Sequence, residues 1–219
     1  MQLKICGLRQ TENIKSLLAL QPGYLGFIFY EKSKRYAEGI LDERFTKLYK
    51  FSKPNLRNPK KTGVFVNEDL NKIKSSIKKY GLNAVQLHGD ESPEYCRALK
   101  SGGDLKSPPD LEIIKVFSVN DDFDFNKTKI YEDVCDLFLF DTKGKERGGN
   151  GIAFNWHILN KYDGEKPFFL SGGIGPGDAA EIKKIKHPKL YGVDINSRFE
   201  IEPGLKDVEM VEQFIAELK

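Results

Sequence analysis

Lys4-Ile5-Cys6-Gly7, the stretch KICG near the start of the 219-residue chain, reads as a strand end followed by a glycine that lets the backbone leave the sheet without a Cβ clash. Side chains alternate along a strand, so Lys4 and Cys6 share one face and Leu3 and Ile5 the other. If Leu3 and Ile5 meet covering helices, Lys4 and Cys6 face whatever the sheet encloses. The thiol is then either a small core residue, the commoner fate of a free cysteine, or a base that the nearby ammonium helps toward thiolate.

The same unit repeats along the chain. Short apolar runs at residues 3–6, 24–30, 62–67, 84–88, 112–118, 137–142, 167–172 and 190–196 are each followed by a longer amphipathic or charged segment. That alternation is the signature of βα units and a parallel sheet. Helices are expected over 11–20, opened by a capping-type Thr11 and stopped by Pro22-Gly23, and over 69–80, closed by Gly81. Further helices are expected over 94–100 behind Ser92-Pro93, over 176–185 and over 208–218, while 121–131 is polar enough for only a short turn. Residues 51–61 and 102–110, rich in proline and charge, read as surface insertions ahead of strands. Eight βα units in this length predict a closed (β/α)8 TIM barrel filling residues 1–219 as one domain, with an open doubly wound sheet as the alternative.

Composition narrows the function. With 39% hydrophobic and 31% charged residues the chain reads as soluble and globular. No run approaches the roughly 18 apolar residues of a membrane span, and the start lacks a basic-then-apolar signal pattern; the expected location is cytoplasmic, with no membrane partner. Cys6, Cys96 and Cys135 have no CxxC spacing and leave one over from any pairing, and His88, His157 and His187 are scattered, which argues against a disulfide framework or a metal site. A net charge of +3 without an aromatic-interleaved basic patch argues against nucleic acid and suits an anionic small molecule.

In either architecture the chemistry belongs at the C-terminal strand ends. These ends carry Cys6, Arg35 beyond the second strand, Gln86 and His88, Asp141, Ser171-Gly172-Gly173, and Asp194 with Asn196-Ser197. Asp141 closes LFLFD on the face of Leu137 and Leu139, either as a structural cap or as the acid partner of the thiol. Glycines 172 and 173 permit the close backbone approach of a phosphate nest, in the loop where barrels commonly hold one. Arg35 is either a solvated charge or a two-pronged carboxylate binder, His88 either a satisfied loop imidazole or a site residue, and residues 143–151 (KGKERGGNG) either a surface loop or a lid.

The motifs KICG, GFIFYEKSKRY, GVFVN, VQLHGDE, LFDT, GGNG, FNW, LSGGI, VDIN and PGLKD, in this order over nearly the whole chain, resemble the phosphoribosylanthranilate isomerase family of tryptophan biosynthesis. The resemblance implies a barrel that performs a cofactor-free, metal-free Amadori rearrangement on a small phosphorylated substrate. It implies Cys6 as general base, Asp141 as general acid, and Arg35 as binder of the anthranilate carboxylate. It also implies a phosphate site at Gly172, Gly173, Asn196 and Ser197, with His88 and Asp194 lining the substrate. Such a barrel would be a monomer or a homodimer. One departure stands out: Asn196-Ser197-Arg198-Phe199-Glu200 replaces the family's usual S-S-G-V-E, setting Arg198 where glycine is usual. A non-catalytic phosphate-ligand-binding barrel, or another phosphosugar aldose-ketose isomerase, is the alternative function. The chemistry needs a protonated Asp141 and an ionised Cys6, the reverse of their default states; desolvation is expected to raise the one, and Lys4 to lower the other.

Overall fold

In a computed structural model, which describes residues 1–39, 58–101, 110–142 and 156–219, eight parallel strands close into a barrel in chain order. They are β1 (Gln2–Ile5), β2 (Tyr24–Ile28), β3 (Lys60–Phe65), β4 (Ala84–Leu87), β5 (Glu112–Val119), β6 (Leu137–Thr142), β7 (Phe168–Ser171) and β8 (Leu190–Ile195). The seam is an ordinary parallel pairing of β1 with β8, from Gln2 opposite Gly192 to Ile5 opposite Ile195. All eight expected strands are present, and the open-sheet alternative is excluded. Around them run α1 (Thr11–Ala19), α2 (Leu70–Tyr80), α3 (Pro93–Ser101), the short α4 (Asn126–Lys129), α5 (Ala179–Lys184) and α6 (Val208–Leu218).

Alternation along the strands sorts the apolar side chains into two cores. Leu3, Ile5, Phe138, Phe140, Val193 and Ile195 belong to the layer shared with the helices. Tyr24, Ala84, Ile114, Val116, Leu137, Leu139 and Phe169 fill the barrel itself. Each Val, Leu, Ile or Phe among them, fully buried, is worth roughly 1.5–3 kcal/mol. The β7–β8 register shifts between Phe168 and Phe169, and this bulge lets Tyr191 pack in the barrel while Asp194, three residues on, also faces inward. At the N-terminal end the interior is closed by polar groups: Tyr24 Oη donates to Glu112 Oε2 at 2.9 Å and lies 3.3 Å from Tyr191 Oη, and Lys60 pairs with Glu112.

Several boundaries differ from expectation. Thr11 is the first residue of α1 and not its cap, which is Gln10 with no side-chain bond. Residues 176–185 begin as a 3-10 turn, Pro176–Asp178, before α5. Lys60 and Lys61, assigned to an insertion, belong to β3, because pairing with β2 extends down to Lys60 opposite Tyr24. Two short strands, β9 (Glu200–Glu202) and β10 (Leu205–Lys206), form a hairpin after β8, and a 3-10 helix spans Trp156–Lys161. The remainder of the first expected insertion up to residue 57, residues 102–109 of the second, and the expected lid at 143–151 lie outside the described residues.

Candidate active site

A cavity opens at the C-terminal ends of the strands, and Cys6, His88, Asp141, Gly172, Gly173, Asp194, Asn196 and Ser197 all line it. Arg35 does not. The barrel therefore gathers eight of the nine residues to which the family resemblance assigns roles, drawn from β1, β4, β6, β7 and β8 and the turns that follow them.

Cys6 enters the cavity from the end of β1, only 4% exposed. Its seat depends on Gly26 of the neighbouring β2, where a Cβ would stand 2.8 Å from Cys6 Sγ and 3.0 Å from its Cα. Two residues earlier on the same face, Lys4 is completely buried, and its Nζ donates to Asp194 Oδ1 at 2.8 Å. Asp194 Oδ2 in turn accepts from Ser171 Oγ at 3.2 Å. Burial pushes the Cys6 thiol above its ordinary range; Lys4 pulls the other way, and Asp194 reinforces the rise. The lowering expected from Lys4 is present but outweighed, chiefly because complete burial penalises the thiolate more than the ammonium favours it. Burial also opposes the charge on Lys4, yet Asp194 and Cys6 together hold its pKa above the usual lysine value.

Asp141 reaches the cavity from β6 on the face of Leu137 and Leu139, with its side chain 25% exposed. His88 Nε2 lies 3.6 Å from Asp141 Oδ2, too long for a hydrogen bond but close for an ion pair. The other ring nitrogen, Nδ1, stands 3.1 Å from Gln86 Nε2. A strand side chain thus orients the imidazole that faces the carboxylate.

Gly172 and Gly173 have φ of +93° and +62°, a region where side chains are strained, and no atom stands within 4 Å of a Cβ at Gly173. The loop is held by Asp178 Oδ2, which accepts from Gly175 N at 2.7 Å. Opposite it, Asn196 precedes the 3-10 turn Ser197–Phe199. The exposed Arg198 extends along the glycine loop, its Cδ 3.3 Å from where a Gly175 Cβ would be.

Arg35 is engaged elsewhere. Its Nε donates to both oxygens of Glu200, at 2.8 and 3.0 Å, and its Nη2 to Oε2 at 2.5 Å. The buried Lys206 Nζ donates to Glu200 Oε1 at 2.6 Å and to Asn196 Oδ1 at 2.9 Å. Gly7 makes room for this clasp: at φ +79°, its Cβ would meet Arg35 Cδ and Asn196 Oδ1 at 2.6 Å each.

The sequence profile described as "N-(5'phosphoribosyl)anthranilate (PRA) isomerase" matches residues 3–217 of this chain. The chain belongs to that family. Among curated relatives, N-(5'-phosphoribosyl)anthranilate isomerase of Parabacteroides distasonis is 43% identical over 100% of this chain and 93% of its own. The enzyme of the same name from Phocaeicola vulgatus is 40% identical over 100% and 98%. Among solved structures, phosphoribosyl anthranilate isomerase from Thermotoga maritima superposes with a TM-score of 0.80 at 31% identity, covering 100% of this chain and 98% of the other. A phosphoribosyl anthranilate isomerase in complex with reduced 1-(o-carboxyphenylamino)-1-deoxyribulose 5-phosphate gives a TM-score of 0.79 at 29% identity, with the same coverage.

Within this isomerase barrel, sequence reading passed over two ion-pair clusters. One is the Arg35–Glu200–Lys206 clasp beside the cavity. The other fixes the turn that carries His88: Lys115 Nζ donates to Gly89 O at 2.6 Å and Glu91 Oε2 at 3.0 Å, with both charges at most 3% exposed. Glu91 also accepts from the backbone N–H of Asn67 and Gly89. The available signal was a lysine inside the apolar run EIIKVF, since a buried charge demands a partner.

Proposed function

We propose that this isomerase converts N-(5'-phosphoribosyl)anthranilate to 1-(2-carboxyphenylamino)-1-deoxyribulose 5-phosphate, with Asp141 as general acid and Cys6 as general base. The observation that carries the assignment of roles is the convergence of a carboxyl from β6 and a thiol from β1 on one cavity beside a left-handed glycine loop. Asp141 delivers a proton to the furanose oxygen as the C1'–O bond breaks, leaving an iminium between sugar and arylamine. Cys6 then takes the C2' proton, and the C–H electron pair moves into the iminium to give an enolamine that tautomerises to the ketone. Side chains supply both transfers, so the reaction as drawn requires no metal or cofactor.

The phosphate of the substrate fits the loop at Gly172 and Gly173 with Asn196 and Ser197 opposite, where glycines allow close backbone approach. His88 and Asp194 border the sugar between these ends. Glu200 occupies the Nε and Nη2 edge of Arg35, so the guanidinium meets the anthranilate carboxylate with the edge Glu200 leaves. We place the activity in the cytoplasm; no helix among the described residues is long and apolar enough to cross a membrane.

The test is the loss of fluorescence of freshly prepared phosphoribosylanthranilate on adding purified protein in chelator. Removing either proton-transfer group, in Cys6→Ala or Asp141→Asn, is expected to lower kcat by about 10²–10⁴-fold while the folded variants still bind substrate. Undiminished turnover in folded Cys6→Ala overturns its role as base. Tight binding with no turnover by the wild-type protein would favour a non-catalytic phosphate-binding barrel.

A further inference from the structure

Lys4 has two claimants. Its Nζ donates to Asp194 Oδ1 at 2.8 Å, and Cys6 follows two residues on along the same inward face, buried like Lys4 and close enough for the ammonium's charge to act on the sulfur. No water reaches it, its exposure being zero. In so dry a place the ammonium is the local counter-charge, and what it lends to one anion it withholds from the other.

We propose that Lys4 is the positioning residue that turns Cys6 into a base, and that Asp194 holds this charge back. The inference rests on the reading of Cys6 as the base. Lys4 touches no substrate atom and acts through the sulfur.

The other charges facing the thiol are committed. Lys206, from β10, and Arg35, from the turn after β2, are both bonded to Glu200. His88 and Asp141 stand at other strand ends around the same cavity. Lys206 also reaches Asn196 on the cavity wall, but Lys4 is the neighbour whose carboxylate partner, Asp194, lines the cavity, with its other oxygen bonded to Ser171. The unliganded site therefore keeps a neutral thiol, in keeping with the rise that burial and Asp194 impose on Cys6. In the working cycle the thiol proton leaves to solvent through the cavity mouth as Lys4 turns to the sulfur. The thiolate then forms an S–H bond as the C2'–H bond breaks, and Lys4 returns to Asp194.

The test reads thiolate formation without turnover. Iodoacetamide labelling of Cys6 at about pH 8, resolved by peptide mass spectrometry because Cys96 and Cys135 are also free thiols, is compared in wild type, Lys4→Met, Asp194→Asn and the double variant. The double variant strands no buried charge, so it remains informative if Lys4→Met alone fails to fold. Expected are labelling slowed on the order of tenfold without Lys4, faster labelling in Asp194→Asn, and slow labelling in the double variant. Single variants that shift labelling in the same direction, or not at all, would reduce Lys4 to a packing role. An equal acceleration by Asp194→Asn with and without Lys4 would assign the effect to the carboxylate's own charge and overturn the withholding. Failure of the functional reading is separate: it shows as turnover surviving in Cys6→Ala, whatever the labelling rates.

Discussion

Gly26 sets the position of the proposed base as much as β1 does. A methyl group there would sit 2.8 Å from Cys6 Sγ and 3.0 Å from its Cα, and the second of these is backbone that cannot swing aside. Gly26→Ala is therefore expected to cost about 1–3 kcal/mol of stability and to lower kcat more than KM, measured by urea unfolding and steady-state kinetics; unchanged kcat would show that the sulfur tolerates displacement. The thiol's acidity makes a second prediction. Burial raises the Cys6 pKa, so the thiolate fraction is small at neutrality and grows with pH. The kcat/KM profile should climb through and beyond about 8.5, the ordinary thiol value, and a plateau already reached at neutral pH would contradict that. KICG with alternation sufficed to place Lys4 and Cys6 on one inward face. Which partner dominates Lys4 was not legible, because Asp194 lies 190 positions away and nothing local marks the pair.

Among the elements, α2 shows how a helix boundary is written in local chemistry. Asp69 Oδ1 accepts from the N–H groups of Asn71 and Lys72 at 2.9 and 3.2 Å, and Gly81 closes the helix at φ +60°. Asp69→Ala should destabilise the protein by about 1 kcal/mol, within the 0.5–2 kcal/mol range of lost caps, without altering kcat. An equal loss in Asp69→Asn would argue against simple hydrogen-bond capping. Elements of this kind were readable, since periodicity, cap and stop all agree. The β9–β10 hairpin was not: its strands have three and two residues, too short for alternation to register, and Pro203-Gly204 between them signals only a turn. The third strand was readable, but its first two residues, Lys60 and Lys61, were assigned to the insertion before it because they are lysines; pairing with β2 makes both of them strand, and Lys60 finds its counter-charge in Glu112.

At the scale of the whole barrel, the clasp of Arg35, Glu200 and Lys206 ties the turn after β2 to the hairpin after β8, across the seam where β1 meets β8. Burial alone would raise the Glu200 pKa, but Arg35 and Lys206 outweigh it and hold the carboxyl below its usual range. The sign follows: the clasp contributes fully above the ordinary glutamate value of about 4.3 and is lost as pH falls through the depressed folded value. Glu200→Gln leaves the buried Lys206 without its anion and should cost roughly 3–5 kcal/mol near neutrality, a gap that narrows in acid. Urea unfolding of both proteins at about pH 7 and about pH 3 measures it, and a gap independent of pH would remove the charge from the explanation. Barrel closure was legible from eight repeats of one pattern, whereas the clasp depends on groups brought together only after closure. The seam also has a consequence in time. At roughly 5–20 residues per second, a ribosome completes β8 some 10–40 s after β1, so the first strand waits with one edge unpaired, and Lys4 without Asp194, until β8 emerges. A chain growing in the cell thus carries the strand of its proposed base unpaired on one side throughout that interval, which is when a holding chaperone would have something to hold.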